Sequence, residues 1–299
     1  MNVGPLARAR LAEAELVLAD ACAFDRATEV ADEKLFGPGP TSAAQAFGAW
    51  DGNELIGVGS VAARWLRLIA VTPRARTSGA GSALLAAIEA AARADGQTRL
   101  SALDQPGNYL APGIDERNAH AIAWLERRGF TRGADLRTNL LLDVRQNPRI
   151  SRERAAEAAE LAHAHGYEVR RAKPAERQHL LDAIAGEFGG AWPYEVERAL
   201  GHAPAAIHVA CKDGAYCAFA AHDGNNRGLG WFGPAGTWKA HRGKGLGEAL
   251  LLACLVDVAA EHSQCEVAWI GPRPFYEKVV GAPGIVGERR FVSLTKLLG

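Results

Sequence analysis

Two stretches of this chain, far apart in sequence, are built alike. VTPRARTSGAGSALLAAIEAAARADG (71–96) and TWKAHRGKGLGEALLLACLVDVAAEH (237–262) each pass from a strand-like segment through R-x-x-G-x-G into a helix with an apolar face. In the second copy Leu246, Leu250, Leu251, Cys254, Leu255, Val258 and Ala259 recur at spacings of three and four. A chain that carries one strand–loop–helix unit twice is constrained to two related α/β layers before any other feature is weighed.

The glycines set what such a loop can do. Gly243, Gly245 and Gly247 have no Cβ, so the backbone can take positive φ and a ligand can press against bare N–H groups. These N–H groups sit at a helix N-terminus, which carries roughly half a positive charge. Arg242 and Lys244 add two more charges, and the occupant such a loop favours is a phosphate or pyrophosphate. Spacing excludes two familiar phosphate loops. A P-loop requires GxxxxGK[ST], but Trp238 stands five before Gly243 and Gly245 follows Lys244. A dinucleotide fingerprint requires a glycine where Glu248 stands.

What fits is the Q/R-x-x-G-x-G/A loop, and here the chain resembles the GNAT superfamily of acetyl-CoA-dependent N-acetyltransferases. A second motif supports the resemblance: GPRPFYEKVVGA, ending at Ala282, is similar to the family's late helix, in which a tyrosine protonates the departing thiolate. The resemblance implies Tyr276 as general acid. It implies a coenzyme A site made by Arg242, Gly243, Lys244, Gly245, Leu246 and Gly247, with backbone amides around Thr237 and Trp238 on the pantetheine arm. In the first copy Arg76, Gly79 and Gly81 form the matching loop. WLERRGF (124–130) stands where FYEKVVG stands in the second, so Leu125 replaces the tyrosine. Arg76 and Trp124 are 48 positions apart, Arg242 and Phe275 only 33, and the excess is assigned to DQPGNYLAPGIDERN (104–118), whose Pro, Gly, Asn and Asp content reads as loop.

The implied fold class is α/β (α+β): two tandem GNAT-fold domains, each a mixed, mostly antiparallel twisted sheet flanked by helices. The expected division is an N-terminal, non-catalytic GNAT-like domain at 1–146, a charged connector helix at 147–165 and a C-terminal catalytic domain at 166–299. Helices are expected near 5–19, 25–34, 80–94 and 118–128 in the first half. In the second they are expected near 175–186, 193–200, 246–262 and 273–280.

Composition narrows the rest. The chain has 299 residues, long enough for two full cores, with 48% hydrophobic and 23% charged residues. Lys+Arg and Asp+Glu both total 34, so the bulk attraction expected of a nucleic-acid binder is lacking. The first twenty residues are interrupted by charges and do not read as a signal peptide, so the expected location is cytoplasmic, without membrane association. The five cysteines include no C-x-x-C, and His163 and His165 stand two apart on a helix, so no metal site is expected.

Acyl transfer to an amine needs a neutral amine, a donor for the oxyanion and an acid for the thiolate. Glu187, Asp223 and Glu266 are candidates for the base. The segment GEFGGAWPYEVERAL (186–200) lies where the family holds its acceptor, and Glu187, Trp192, Tyr194 and Glu195, together with Asp223, suit a cationic small-molecule amine such as an amino sugar. The expected partner is that amine, the assembly a monomer or homodimer. A non-catalytic acetyl-CoA-binding sensor or scaffold, and a protein or peptide N-acetyltransferase, are the alternatives.

Overall fold

Apolar runs bounded by turns give the strands, and three-four periodicity gives the helices that cover them. The computed structural model describes residues 1–299 and separates into two compact units, Met1–Arg137 with Arg290–Gly299, and Thr138–Arg289. In chain order the first half forms β1 (Asn2–Pro5), α1 (Leu11–Ala21), α2 (Ala31–Leu35), β2 (Gln45–Asp51), β3 (Glu54–Ala62), β4 (Trp65–Val71), α3 (Ala80–Ala94), β5 (Arg99–Ala102), β6 (Ile114–Asp115), α4 (Ala119–Glu126) and β7 (Thr131–Asp143). The second forms α5 (Arg152–His163), β8 (Glu168–Arg171), α6 (Arg177–Glu187), α7 (Trp192–Leu200), β9 (Ile207–Lys212), β10 (Ala215–His222), β11 (Trp231–Thr237), α8 (Leu246–Glu261), β12 (Gln264–Val267), α9 (Arg273–Val280) and β13 (Ile285–Leu297).

The first unit's strands follow the order β1-β2-β3-β4-β5 and then β13; the second unit's follow β7-β12-β11-β10-β9-β8. All of these pairings are antiparallel except β4 with β5 and β11 with β12. Each unit therefore has the expected mixed, mostly antiparallel sheet flanked by helices. Each also draws one strand from the far half of the sequence: Thr295–Leu297 pair with β5, and Leu140–Asp143 pair with β12. This is why linear boundaries at 146 and 166 differ from the observed units. β7 and β13 have 13 residues each, about twice a usual strand, so each is long enough to begin in one unit and end in the other.

The helix expected as a connector also belongs to a core. In α5, Ala162 is buried among the residues of α8, with Ala155 and Ala158 packed against them. Consequently α8 is buried beyond the single face read from its periodicity, Ala249 and Leu252 included. The N-terminal helix expected from residue 5 starts at Leu11, because Asn2–Pro5 pair with β2 as an edge strand. Pro5 at its end is compatible with an edge position. The helix expected at 25–34 is only Ala31–Leu35.

Candidate functional site

Each unit places its R-x-x-G-x-G loop in the same backbone path. In the second unit β11 gives way to a tight turn at Lys239–His241, Arg242 is extended (φ −66, ψ 155), and Gly243 and Gly245 are left-handed (φ 74 and 78) before α8 begins at Leu246. In the first, the turn is Pro73–Ala75, Arg76 is extended (φ −62, ψ 147), and Thr77 and Gly79 are left-handed (φ 72 and 94) before α3. Alternating handedness of this kind turns successive N–H groups into one concavity that suits an anion. A Cβ added at Gly243 or Gly245 would meet no protein atom, so the loop's outer face is open. Thr77 holds a β-branched residue in a conformation that such residues rarely adopt.

Beside each loop the sheet parts. β11 and β12 pair only at Trp231↔Glu266 and Phe232↔Val267, and β4 and β5 only at Trp65↔Ser101 and Leu66↔Ala102. Past those rungs the strands splay and leave polar backbone edges. Trp238 N–H donates to Cys217 O at 2.9 Å, so this amide is held in the sheet and cannot reach a ligand as expected. Antiparallel alternation then turns the Thr237 and Ala235 amides away from β10, toward the gap. Ala235 was not legible in the sequence because no side chain marks it.

Arg242 folds back, its Nε donating to Thr237 O at 3.2 Å, and so braces the loop; Arg242 and Lys244 are both exposed. Leu246 is buried at the first turn of α8, and Gly247 approaches α9: a Cβ there would lie 3.5 Å from Phe275 Cζ. The same approach recurs in the first unit, where a Cβ at Gly81 would lie 3.0 Å from Trp124 Cζ2. Trp124 and Phe275 thus occupy matching places, and so do their neighbours Leu125 and Tyr276.

Tyr276 stands in the first turn of α9 and is 9% exposed. Burial pushes its phenol up to about 12, while the Gly271 backbone, bonded to the hydroxyl, pulls the other way. It stays protonated through the neutral range.

The expected acceptor residues fall into two groups. Glu187, at the end of α6, accepts the Lys239 N–H at 3.1 Å. With Trp238, Lys239, Ala240 and His241 it bounds a cavity of about 520 Å³. Trp192 joins Phe188, Phe219 and Trp238 in a ring cluster over Gly236, with centroids 5.0 to 6.1 Å apart. Tyr194 and Asp223 are elsewhere. Tyr194 lies beside Arg198, whose Nε donates to Gly224 O at 2.8 Å, and Asp223 Oδ2 is 3.1 Å from His222 Nδ1. Glu266 is bonded to Asn139 Nδ2 at 2.7 Å and to Arg289 Nη1 at 3.1 Å. Burial raises the Asp223 carboxyl, but His222 outweighs it and holds it below the usual carboxylate range, a poor base; Glu266 is already engaged by Asn139 and Arg289.

The first unit fills the ground that the second leaves bare. Four positions before the end of β4 stands Arg67; four before the end of β11 stands Gly233. Arg67 is 1% exposed, its Nε bonded to Gln105 Oε1 and its Nη1 to Gly37 O at 2.6 Å. Gln105 belongs to the segment between β5 and α4, residues 103–118, which corresponds to only 268–272 between β12 and α9. The segment is loop as read, but a buried one: Asn108 is fully buried and accepts from Lys34 Nζ at 2.8 Å.

Residues 21–130 match the family model described as "Acetyltransferase (GNAT) family". No curated protein sequence gives a significant match. Among solved structures, the chain is similar to a glucosamine N-acetyltransferase region of a fungal multi-domain GH3 β-N-acetylglucosaminidase, at TM-score 0.77 and 16% identity, covering 98% of this chain and 38% of that one. The chain thus spans well under half of that protein. A tandem GNAT protein from the clavulanic acid biosynthesis pathway aligns at TM-score 0.70 and 18% identity over 100% of this chain and 98% of that one. A GCN5-related N-acetyltransferase from Sphaerobacter thermophilus aligns at TM-score 0.68 and 16% identity, over 99% and 95%. The fold is that of the tandem GNAT proteins. Over residues 21–130 the sequence also matches that family's model, while the rest of the chain shares the fold alone. No helix is long and apolar enough to cross a membrane.

Proposed function

We propose that the second unit is an acetyl-CoA-dependent N-acetyltransferase acting on a primary amine of a small molecule, by direct attack and without a covalent enzyme intermediate. The observation that carries this reading is a conjunction found in only one unit. The second unit has an open anion loop, a bare strand at Gly233 and a buried phenol at Tyr276; the first has Arg67 and Leu125 at the matching positions.

The residues present fit acetyl-CoA. The N–H groups from Gly243 to Gly247 and the start of α8 would hold the pyrophosphate, with Lys244 as counter-charge. The Thr237 and Ala235 amides would hold the pantetheine arm along β11. Bound there, acetyl-CoA supplies an activated thioester. Tyr276 keeps a proton at Oη for the sulfur that leaves, and its burial keeps competing water out. Glu187 is the one candidate carboxylate near the cavity at the strand's end, and orienting a cationic acceptor there, with Trp238 in the same wall, suits its charge and exposure. The glucosamine N-acetyltransferase named for the fungal structure makes an amino sugar the first acceptor to try.

A second reading concerns the first unit. Thr77 is held at φ 72 in a loop that repeats the second loop's path, and strain of this kind persists where a site requires it. We infer that the first unit is a donor-binding site without turnover. A panel of amines with thiol-release detection tests both readings. Tyr276→Phe should lower turnover by roughly 100-fold with coenzyme binding retained; unchanged turnover removes the acid from the mechanism.

A further inference from the structure

The far half of α8 carries a cluster of charged groups that acyl transfer does not use. Asp257 Oδ1 accepts from Arg171 Nη2 at 2.7 Å, and its Oδ2 lies 2.7 Å from His208 Nε2. The same Oδ2 is 3.4 Å from His222 Nε2, an ion contact without hydrogen-bond alignment. Arg171 ends β8, His208 is second in β9, and His222 ends β10. One helix carboxylate therefore meets one side chain from each of three consecutive strands.

His222 is the exceptional member. Its Nδ1 is 3.1 Å from Asp223 Oδ2, so each ring nitrogen faces a carboxylate. Asp223 is itself fixed, by Gly228 N–H on its Oδ1 and by His202 Nε2 on its carbonyl. The remaining titratable neighbours are Cys254 of α8 and Cys265 of β12, whose thiols burial keeps neutral. Only an imidazole with N–H at both positions presents a proton toward each carboxylate. Burial opposes that charge, but Asp223 and Asp257 together outweigh it and hold His222 above the ordinary histidine value. Burial likewise opposes the Asp257 charge, and His208, His222 and Arg171 hold this carboxyl well below the usual range.

We propose that the cluster is a proton-operated latch: with His222 charged it fixes the far half of α8 to β8, β9 and β10, and deprotonation loosens the helix. The sign follows from linkage. A histidine raised in the folded state contributes stability that is present below its unfolded value near 6.5 and is lost as pH rises through its folded value. Asp257, depressed in the folded state, contributes above an unfolded value of about 3.9 and loses that contribution as pH falls. The latch is closed between these limits and opens on the alkaline side first. The consequence for the donor rests on the reading above, because the N-terminus of the same helix forms the anion loop.

The experiment follows the thermal midpoint of the full chain from about pH 6 to about pH 9, in the wild type and in His222→Gln, with histidine NMR titration of the folded wild type. The expected result is a fall of roughly 2–4 °C with rising pH in the wild type. That fall should be absent in His222→Gln, and one imidazole should titrate above the ordinary range. An equal fall in both proteins, or no raised imidazole in the folded wild type, overturns the latch; the titration decides even if His222→Gln does not fold. Coenzyme A affinity is measured across the same range, and it should weaken at the alkaline end in the wild type alone. Coenzyme A that binds at no pH, with the midpoint behaving as expected, strikes the donor reading and leaves the latch standing.

Discussion

The two loops follow one backbone path with different side chains. Where the second uses Gly243 and Lys244, the first uses Thr77 and Ser78, and both return to a left-handed glycine before the helix. The path is the costly part to preserve, because a left-handed threonine is strained by about 1–2 kcal/mol. Around the loops the units diverge at two places, Arg67 against Gly233 and Leu125 against Tyr276. On the proposed reading, the anion cradle and the acyl-transfer chemistry are separable: backbone geometry would make the first, and a few side chains beside the splayed strands the second.

The largest expected effect comes from closing one cradle. Gly245→Val places a β-branched residue at φ 78, with its side chain in the open face of the loop. It should abolish coenzyme A binding by the second unit and all turnover. Gly79→Val is the paired variant, and it should remove only the binding that belongs to the first unit. Calorimetry on both variants counts the sites. If Gly79→Val abolishes turnover and Gly245→Val does not, the catalytic assignment belongs to the other unit. Next in size is Tyr276→Phe, already set against its assay.

The third effect is one of stability. Arg67→Ala leaves the Gln105 Oε1 and Gly37 carbonyl without the guanidinium that serves them at a 1% exposed position. A loss of about 3 kcal/mol is expected, the scale for breaking a buried charged network. Urea unfolding should show it in the first unit while turnover per folded molecule is unchanged. A change in turnover would mean that Arg67 takes part in chemistry.

Much of this contrast was legible in the sequence, for reasons that are local. Glycines at R-x-x-G-x-G announce the loop because the path needs positive φ, and periodicity announces α3 and α8. Leu125 against Tyr276 follows from setting WLERRGF against FYEKVVG once the extra residues at 104–118 are taken out. What could not be read rests on distant partners. Trp238's amide is taken by Cys217 O, a matter of register that side chains do not advertise. Tyr194 is drawn from the group around Glu187 along α7, and Asp223 by its place just past the end of β10. The unit boundaries escaped because β7 and β13 are each long enough to run from one unit into the other. DQPGNYLAPGIDERN has the composition of a surface loop, yet Gln105 and Asn108 find buried partners in Arg67 and Lys34.

The smallest effect sharpens the comparison most directly. Thr77→Gly makes the first loop like the second at its one strained residue. Relief of the left-handed threonine is worth about 1–2 kcal/mol, and glycine's extra freedom in the unfolded chain takes back about 0.5–1 kcal/mol. The net gain should be roughly 0.5–1 kcal/mol in the first unit, read as a rise of about 2–4 °C in its thermal midpoint. Coenzyme A affinity of that unit should stay the same or improve, since the loop's amides keep their path. A variant that is less stable than the wild type would mean that the threonine side chain makes a contact outweighing its strain. The shared path would then reflect packing in the first unit and anion binding only in the second.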